Sequence, residues 1–310
     1  MRQVRPKKNL GQHFLTDLSI ARAIADTVDA CPDLPVLEVG PGMGVMTQYL
    51  VEKPRELKVV EIDRESVAYL KNTLFRAGES DIVSRREERG ERRESSIEGG
   101  EKGNLAPLST LPAPRKNESN PIIEGDFLRM DLTKVFDGRP FVLTGNYPYD
   151  ISSQIFFKML DNKELIPCCT GMIQREVAQR MASAPGTKAY GILSVLIQAW
   201  YRVEYLFTVD EHVFNPPPKV KSAVIRMTRN DVTDLGCDER LFRRVVKTVF
   251  GQRRKMLRVS LRQLFADVQP AAGFYEQPVM TRRPEQLSIS EFVELTNKVA
   301  EQLQRAGTSD

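Results

Sequence analysis

The chain has 310 residues, 41% of them hydrophobic, and 45 Lys and Arg against 41 Asp and Glu, for a formal net charge of +4. That length suits one large and one small domain around a real core. No run approaches about 18 uninterrupted apolar residues, so no membrane span is expected. The basic N-terminus lacks the apolar stretch of a secretory signal. The four cysteines, Cys31, Cys168, Cys169 and Cys237, form no C-x-x-C pair, and only two histidines are present. That argues against a zinc site and fits free thiols in a reducing cytoplasm.

The first element signal after the basic arm (Arg2, Arg5, Lys7 and Lys8) is Val36-Leu37-Glu38-Val39, a short strand. It runs into Gly40-Pro41-Gly42-Met43-Gly44 and then a helical pattern from Val45 to Leu50. Glycines let a backbone turn sharply and approach a ligand closely. A second strand, Leu57-Lys58-Val59-Val60, ends at Glu61-Ile62-Asp63, with Glu61 lying 21 residues after Gly40. An acidic residue about 20 positions past the first glycine is where an α/β nucleotide site holds ribose hydroxyls.

Residues 78–120 then interrupt the pattern. They are rich in Ser, Glu, Arg, Gly and Pro, and from Arg85 to Lys102 six basic and six acidic residues cancel. Such a segment cannot bury enough apolar surface to order itself, so a disordered insertion without a catalytic role is expected. A third strand, from Pro121 to Glu124, ends at Gly125-Asp126-Phe127, where Asp126 can accept a bond from an adenine amino group.

Phe141-Val142-Leu143 reads as a fourth buried strand and leads into Thr144-Gly145-Asn146-Tyr147-Pro148-Tyr149. An Asn oxygen and the carbonyl of Pro148 can each accept an N–H bond from an exocyclic amine, and Tyr149 can stack on the ring that carries it. Alone, Asn-x-Pro-x is also ordinary turn chemistry. With Glu61, Asp126 and Asn146 at successive strand ends, the constellation points to a nucleotide-type site. The glycines at 40, 42 and 44 depart from the G-x-G-x-x-G of dinucleotide dehydrogenases. Glu38 beside them would repel a pyrophosphate. A cationic, phosphate-free cofactor, S-adenosylmethionine, fits better.

Further on, Ala223-Val224-Ile225-Arg226-Met227 alternates like a late strand, and Asp231 to Asp238 reads as a linker. The chain is therefore divided into 1–229, an α/β Rossmann-like cofactor domain, and 230–310, a small all-helical domain. Residues 240–262 contain nine Arg or Lys and no acidic side chain, with Leu241, Phe242, Val245, Val246, Val249 and Phe250 at helical spacing. A helix pair, or one helix broken near Gly251, with a basic outer face is expected. Such a face attracts nucleic-acid phosphates. Arg253, Arg254, Lys255 and Arg258 are its candidate RNA contacts. Ser288 or Ser290 is the candidate N-cap of the last helix.

With these motifs the chain resembles the KsgA-type family of small-subunit ribosomal RNA adenine dimethyltransferases, over nearly its whole length except residues 78–120. The resemblance rests on Lys7-Lys8-Asn9-Leu10-Gly11-Gln12-His13-Phe14-Leu15, Glu38-Val39-Gly40-Pro41-Gly42, Glu61-Ile62-Asp63, Gly125-Asp126 and Asn146-Tyr147-Pro148-Tyr149. It continues through Gln174-Arg175-Glu176-Val177, Tyr190-Gly191-Ile192-Leu193-Ser194, the segment from Val213 to Val224, and Gln252-Arg253-Arg254-Lys255. It implies S-adenosylmethionine as methyl donor, without a metal. The cofactor contacts it implies fall on His13, Leu15, Gly40, Glu61, Asp126 and Asn146. It also implies N6,N6-dimethylation of two adjacent adenosines in a loop near the 3′ end of small-subunit (16S) ribosomal RNA, by a cytoplasmic monomer acting on a pre-30S-type particle. His13 and Asp150 stand where the family commonly has Asn, and Tyr147 where it commonly has Leu.

The chemistry expected is positional. Asn146 and the Pro148 carbonyl would draw the N6 lone pair out of the adenine ring toward the methyl group. Tyr149 would stack on the flipped base. Phe214 would close its other face or serve simply as core. Two alternatives remain at this level: a large-subunit rRNA adenine methyltransferase of the macrolide-resistance type, and a ribosome-assembly factor that binds without catalysis.

Overall fold

The computed structural model describes residues 7, 13–75, 121–265 and 268–307. The insertion expected at 78–120 lies outside the described residues, as do Arg2, Arg5 and Lys8 of the basic arm. In chain order, β1 (Phe14–Leu15) and α1 (Leu18–Asp26) precede β2 (Val36–Val39), α2 (Thr47–Leu50), β3 (Leu57–Glu61) and α3 (Arg64–Thr73). Then come β4 (Ile122–Glu124), β5 (Val142–Thr144), α4 (Ser152–Asp161), β6 (Cys168–Gln174), α5 (Arg175–Met181) and α6 (Ile192–Gln198). Last are β7 (Tyr201–Val209), β8 (Phe214–Asn215), β9 (Ser222–Arg229), α7 (Glu239–Gly251), α8 (Leu257–Ser260) and α9 (Ile289–Gly307).

Seven strands form one sheet in the order β4-β3-β2-β5-β6-β9-β7. The strands from β4 to β6 run parallel, and β9 is antiparallel to both β6 and β7. This is the Rossmann-like α/β arrangement expected. All four residues of β2 are buried, as are Cys168 to Ile173 of β6. Parallel strands covered on both faces read as unbroken apolar runs for this reason. The chain winds outward from β2 through β3 to β4, then returns to the other side of β2 as β5. The crevice at the C-terminal ends of β2 and β5 is the topological switch point, where open α/β sheets bind ligands.

Carboxylates start three of the described helices, α1, α3 and α7. Asp17 accepts from the backbone N–H of Ser19 and Ile20 ahead of α1, and Asp238 from Leu241 ahead of α7. Ser288, rather than Ser290, caps α9: its Oγ accepts from Glu291 N while Glu291 accepts from Ser288 N. Helix α7 buries Phe242, Val245, Val246 and Val249, the stripe its sequence predicts, and ends at Gly251. The last strand ends at Arg229, next to the predicted boundary, yet the packing continues beyond it. Phe250 of α7 lies between Tyr190 and Phe292, with ring centroids 6.2 and 5.9 Å away. Among the described residues no helix is long and apolar enough to cross a membrane.

One close approach fixes the loop after β5. A Cβ added to Gly171, at φ +137°, would stand 2.2 Å from the Gly145 carbonyl oxygen and 2.8 Å from the Tyr147 ring. Only glycine tolerates both the backbone angle and the contact. Gly171→Ala is expected to cost about 1–3 kcal/mol or more, read by denaturant unfolding. An unchanged midpoint would mean that β5 and β6 can separate freely here.

Candidate active site

The strand ends at the switch point converge on a cavity of about 260 Å³. Gly40, Gly42 and Gly44 follow β2 with φ of +68°, +55° and +76°, which makes the loop turn tightly at its edge. Glu61 is the last residue of β3 and is buried. One of its oxygens accepts from Gly42 N at 3.0 Å, the other from Ile62 N and Asp63 N at 2.9 Å each. Burial raises the Glu61 carboxyl above its usual range, and these three N–H donors oppose the shift. Asp126 follows β4 and accepts from Leu128 N at 2.9 Å. The tie to the backbone holds each carboxylate in place while leaving lone pairs for a guest.

Asn146 extends β5 by an isolated parallel bridge to Met172. Its Nδ2 donates to the His13 carbonyl at 3.2 Å, so the amide oxygen is the acceptor left over. Pro148 also lines the cavity, and its carbonyl accepts a long 3.3 Å bond from Ile151 N. Tyr147 is buried: its hydroxyl donates to the Thr170 carbonyl at 2.8 Å, and its ring meets Phe156 edge-on. Tyr149 is half-buried at the cavity wall. The ring of His13 stacks against it, with centroids 5.7 Å apart and planes 26° apart.

The electrostatics of the lining are one-sided. Glu38, Glu61, Asp126 and Asp150 contribute to it, and among the described residues no Lys or Arg does. Glu38 is 1% exposed and accepts a hydrogen bond from Thr47 Oγ1 at 2.7 Å. Desolvation pushes its carboxyl from the ordinary 4.5 up to about 8. Glu38 therefore adds little charge near neutrality, and it is the acidic side chains of Glu61, Asp126 and Asp150 that suit a cation and disfavour phosphates. This is the fit that a sulfonium cofactor requires.

Of the predicted cofactor residues, His13, Leu15, Gly40, Glu61, Asp126 and Asn146 all line this one cavity, as do Pro148 and Tyr149. Phe214 does not. It is 4% exposed and packs in a core cluster with Leu15, Ile24 and Val224, paired to Leu15 across β1 and β8. In the free chain it is a core residue. Residues the sequence reading passed over also belong here. Ile62 lines the cavity with 53% of its surface exposed, an apolar face suited to a planar ring. Its signal was its place beside Glu61. Asp210, Glu211 and His212 could together present atoms to a cation, but they lie outside the lining, and Asp210 already pairs with Lys221 at 2.8 Å.

The predicted RNA contacts lie on α8 and the turn before it. Arg254, Lys255 and Arg258 are exposed around the exposed apolar side chains of Met256 and Val259. Arg253 differs: it donates to the Thr187 carbonyl at 3.1 Å and reaches Glu285 at 4.0 Å.

A family model described as ribosomal RNA adenine dimethylase matches residues 3–86 and 103–301. The chain belongs to this family. A relative from Phocaeicola vulgatus, named ribosomal RNA small subunit methyltransferase A, is 59% identical over 296 residues, covering 96% of this chain and 90% of the relative. One of the same name from Bacteroides thetaiotaomicron is 58% identical over 309 residues, covering 100% and 99%. Among solved structures, a dimethyladenosine transferase from Plasmodium falciparum superposes with a TM-score of 0.66 at 20% identity, covering 95% of this chain and 98% of that one. The 23S rRNA methyltransferase ErmE gives 0.56 at 24% identity, covering 93% and 99%. These two likenesses establish the fold.

Glu38 gives this adenine dimethylase a measurable pH dependence. A carboxyl raised from 4.5 to about 8 holds its proton in the folded state where the unfolded state has lost it. Its contribution to stability is full below pH 4.5 and is lost as pH rises through about 8. The stability of wild type relative to Glu38→Gln should fall across that window in denaturant titrations at a series of pH values. Parallel curves would place the Glu38 proton elsewhere.

Proposed function

We propose that this protein uses S-adenosylmethionine to dimethylate the N6 amino groups of two adjacent adenosines near the 3′ end of small-subunit ribosomal RNA, during assembly of that subunit. Family membership supports the reaction class. The name shared by relatives at 52–59% identity supports the small subunit over the large. The observation that carries the site is the cavity at the switch point, lined by four carboxyls, an Asn, a Pro carbonyl and a Tyr, without a cationic side chain among the described residues.

When bound, the sulfonium supplies an activated methyl group, so the reaction calls for no metal. Glu61 would accept from the ribose hydroxyls, Asp126 from the adenine amino group of the cofactor, and Ile62 would lie along that ring. Gly40 and the His13–Leu15 strand would border the remainder. Asn146 Oδ1 and the Pro148 carbonyl accept the two N–H bonds of the target amine, while Tyr149 stacks on the extruded base. These acceptors draw nitrogen toward sp³ geometry and free its lone pair. With the methyl donor bound, the lone pair would form the new N–C bond as the C–S pair leaves with sulfur, and the N–H proton would pass to water. A strong base is not required, because methylation itself acidifies the N–H. Two such cycles give the dimethyl product.

Arg254, Lys255 and Arg258 are proposed to bind phosphates of the assembling particle, with the protein acting as a monomer in the cytoplasm. Arg253 would contribute mainly by holding the turn to Thr187. Methylation assays on separate unmodified small and large subunits test the assignment. N6,N6-dimethyladenosine in the small subunit alone is expected. Label in the large subunit would favour the resistance-type reaction, and binding without label would favour an assembly factor.

Asn146→Ala is expected to lower kcat by about 100-fold or more, as when a single preorganised hydrogen-bonding group is removed, with RNA affinity nearly unchanged. Retention of the wild-type rate would exclude its proposed role. Reversing charge at Arg254, Lys255 and Arg258 together should flatten the salt dependence of binding, by about 0.7–0.9 in log–log slope for each phosphate no longer neutralised. An unchanged slope would remove this surface from the interface.

A further inference from the structure

Tyr149 is held from a second part of the chain. Its hydroxyl lies 2.5 Å from Ser222 Oγ, and either oxygen can donate. Ser222 is wholly buried at the start of β9, opposite Gln174 on one neighbouring strand and Val209 on the other. Two ladders therefore fix where its hydroxyl stands. A second hold comes through His13, whose ring stacks on Tyr149 while its Nδ1 lies 2.8 Å from the Pro216 carbonyl and donates to it. Both holds lead back to the segment between Val213 and Ser222.

A tyrosine anchored only at its backbone can turn about two side-chain torsions, and the second of these is broad. Stacking on a base needs one ring plane. A hydroxyl bonded to a point that cannot move removes that freedom, as does a ring resting on its face. Burial raises the Tyr149 phenol above its usual range, which keeps it a neutral hydroxyl able to share this bond. Ser222 is not among the cavity-lining residues, so its reach into the site is through Tyr149.

We propose that Ser222 is a positioning residue, which sets the plane of the Tyr149 ring for stacking on the target adenine through the bond between their hydroxyls. This rests on the reading that Tyr149 stacks on that base. Ser222 itself touches neither the base nor the methyl donor.

The test is a double-mutant cycle in the full-length protein. Wild type, Ser222→Ala, Tyr149→Phe, the double variant and Tyr149→Ala would be compared in methyl transfer to small subunits lacking the modification, at saturating S-adenosylmethionine. Thermal unfolding of each would be recorded alongside. Ser222→Ala and Tyr149→Phe should each lower kcat by about ten- to a hundredfold, the range for a misplaced catalytic group, with the KM for S-adenosylmethionine unchanged. The double variant should be no slower than either single one, because both remove the same bond. Losses that multiply would overturn the proposal, since the two hydroxyls would then act separately. A wild-type rate for Ser222→Ala or Tyr149→Phe, beside an inactive Tyr149→Ala, would also overturn it while leaving the stacking role of Tyr149 intact. A wild-type rate for Tyr149→Ala would instead remove the stacking role itself. Should Ser222→Ala unfold, Tyr149→Phe cuts the same bond from the other end and decides the matter alone.

Discussion

The backbone contact between Gly145 and Gly171 is the constraint on which the site hangs. Tyr147 N donates to the Met172 carbonyl and Met172 N to the Gly145 carbonyl, each at 3.0 Å, so β5 stays zipped to β6 past its last regular residue. Tyr147 locks the join from below by its bond to Thr170. Asn146, Pro148 and Tyr149 can then stand in the cavity on a rigid rail rather than a free loop. Reactions that depend on positioning need this, because small displacements cost rate steeply.

The cavity opposes its surroundings in charge. Carboxyls line it, while exposed cations lie on the turn and helix that follow α7. A polyanion is thus attracted to one surface and a compact cation to another. Glu38 is the exception to this charge: a carboxyl bonded to the Thr47 hydroxyl and buried deeply enough to keep its proton near neutrality. Such a group lowers stability at alkaline pH.

Much of this was legible in the sequence because the relevant signals are local. Strands β2 to β5 are short apolar runs that stop at Gly, Glu, Asp or Asn, and Gly40, Glu61, Asp126 and Asn146 of the cavity lining sit at such stops. The stripe of α7 was readable for the same reason. Other features had no local signal. The alternation of β7 is broken by an irregularity between Tyr205 and Phe207, which blurs its two-residue period. β1 and β8 are two residues each, and their pairing joins Phe14 to Asn215, segments far apart in the chain. Phe214 showed why a motif does not reveal burial: in sequence it stands just before Asn215 and the three prolines at 216 to 218, but its neighbours in space are the aliphatic side chains of the core. Ser222 precedes the strand pattern read from Ala223 to Met227, and only the folded chain brings its hydroxyl to that of Tyr149.

The tie between His13 and Pro216 spans 203 positions. Contacts this distant form late, since the whole intervening chain must first be made and folded. During synthesis the glycine loop, Glu61 and Asn146 emerge ahead of Pro216 and Ser222. The wall beside Tyr149 closes only once Ser222 has followed. The Tyr149 side of the cavity is thus among the last parts of the α/β sheet for which every contributing residue has left the ribosome.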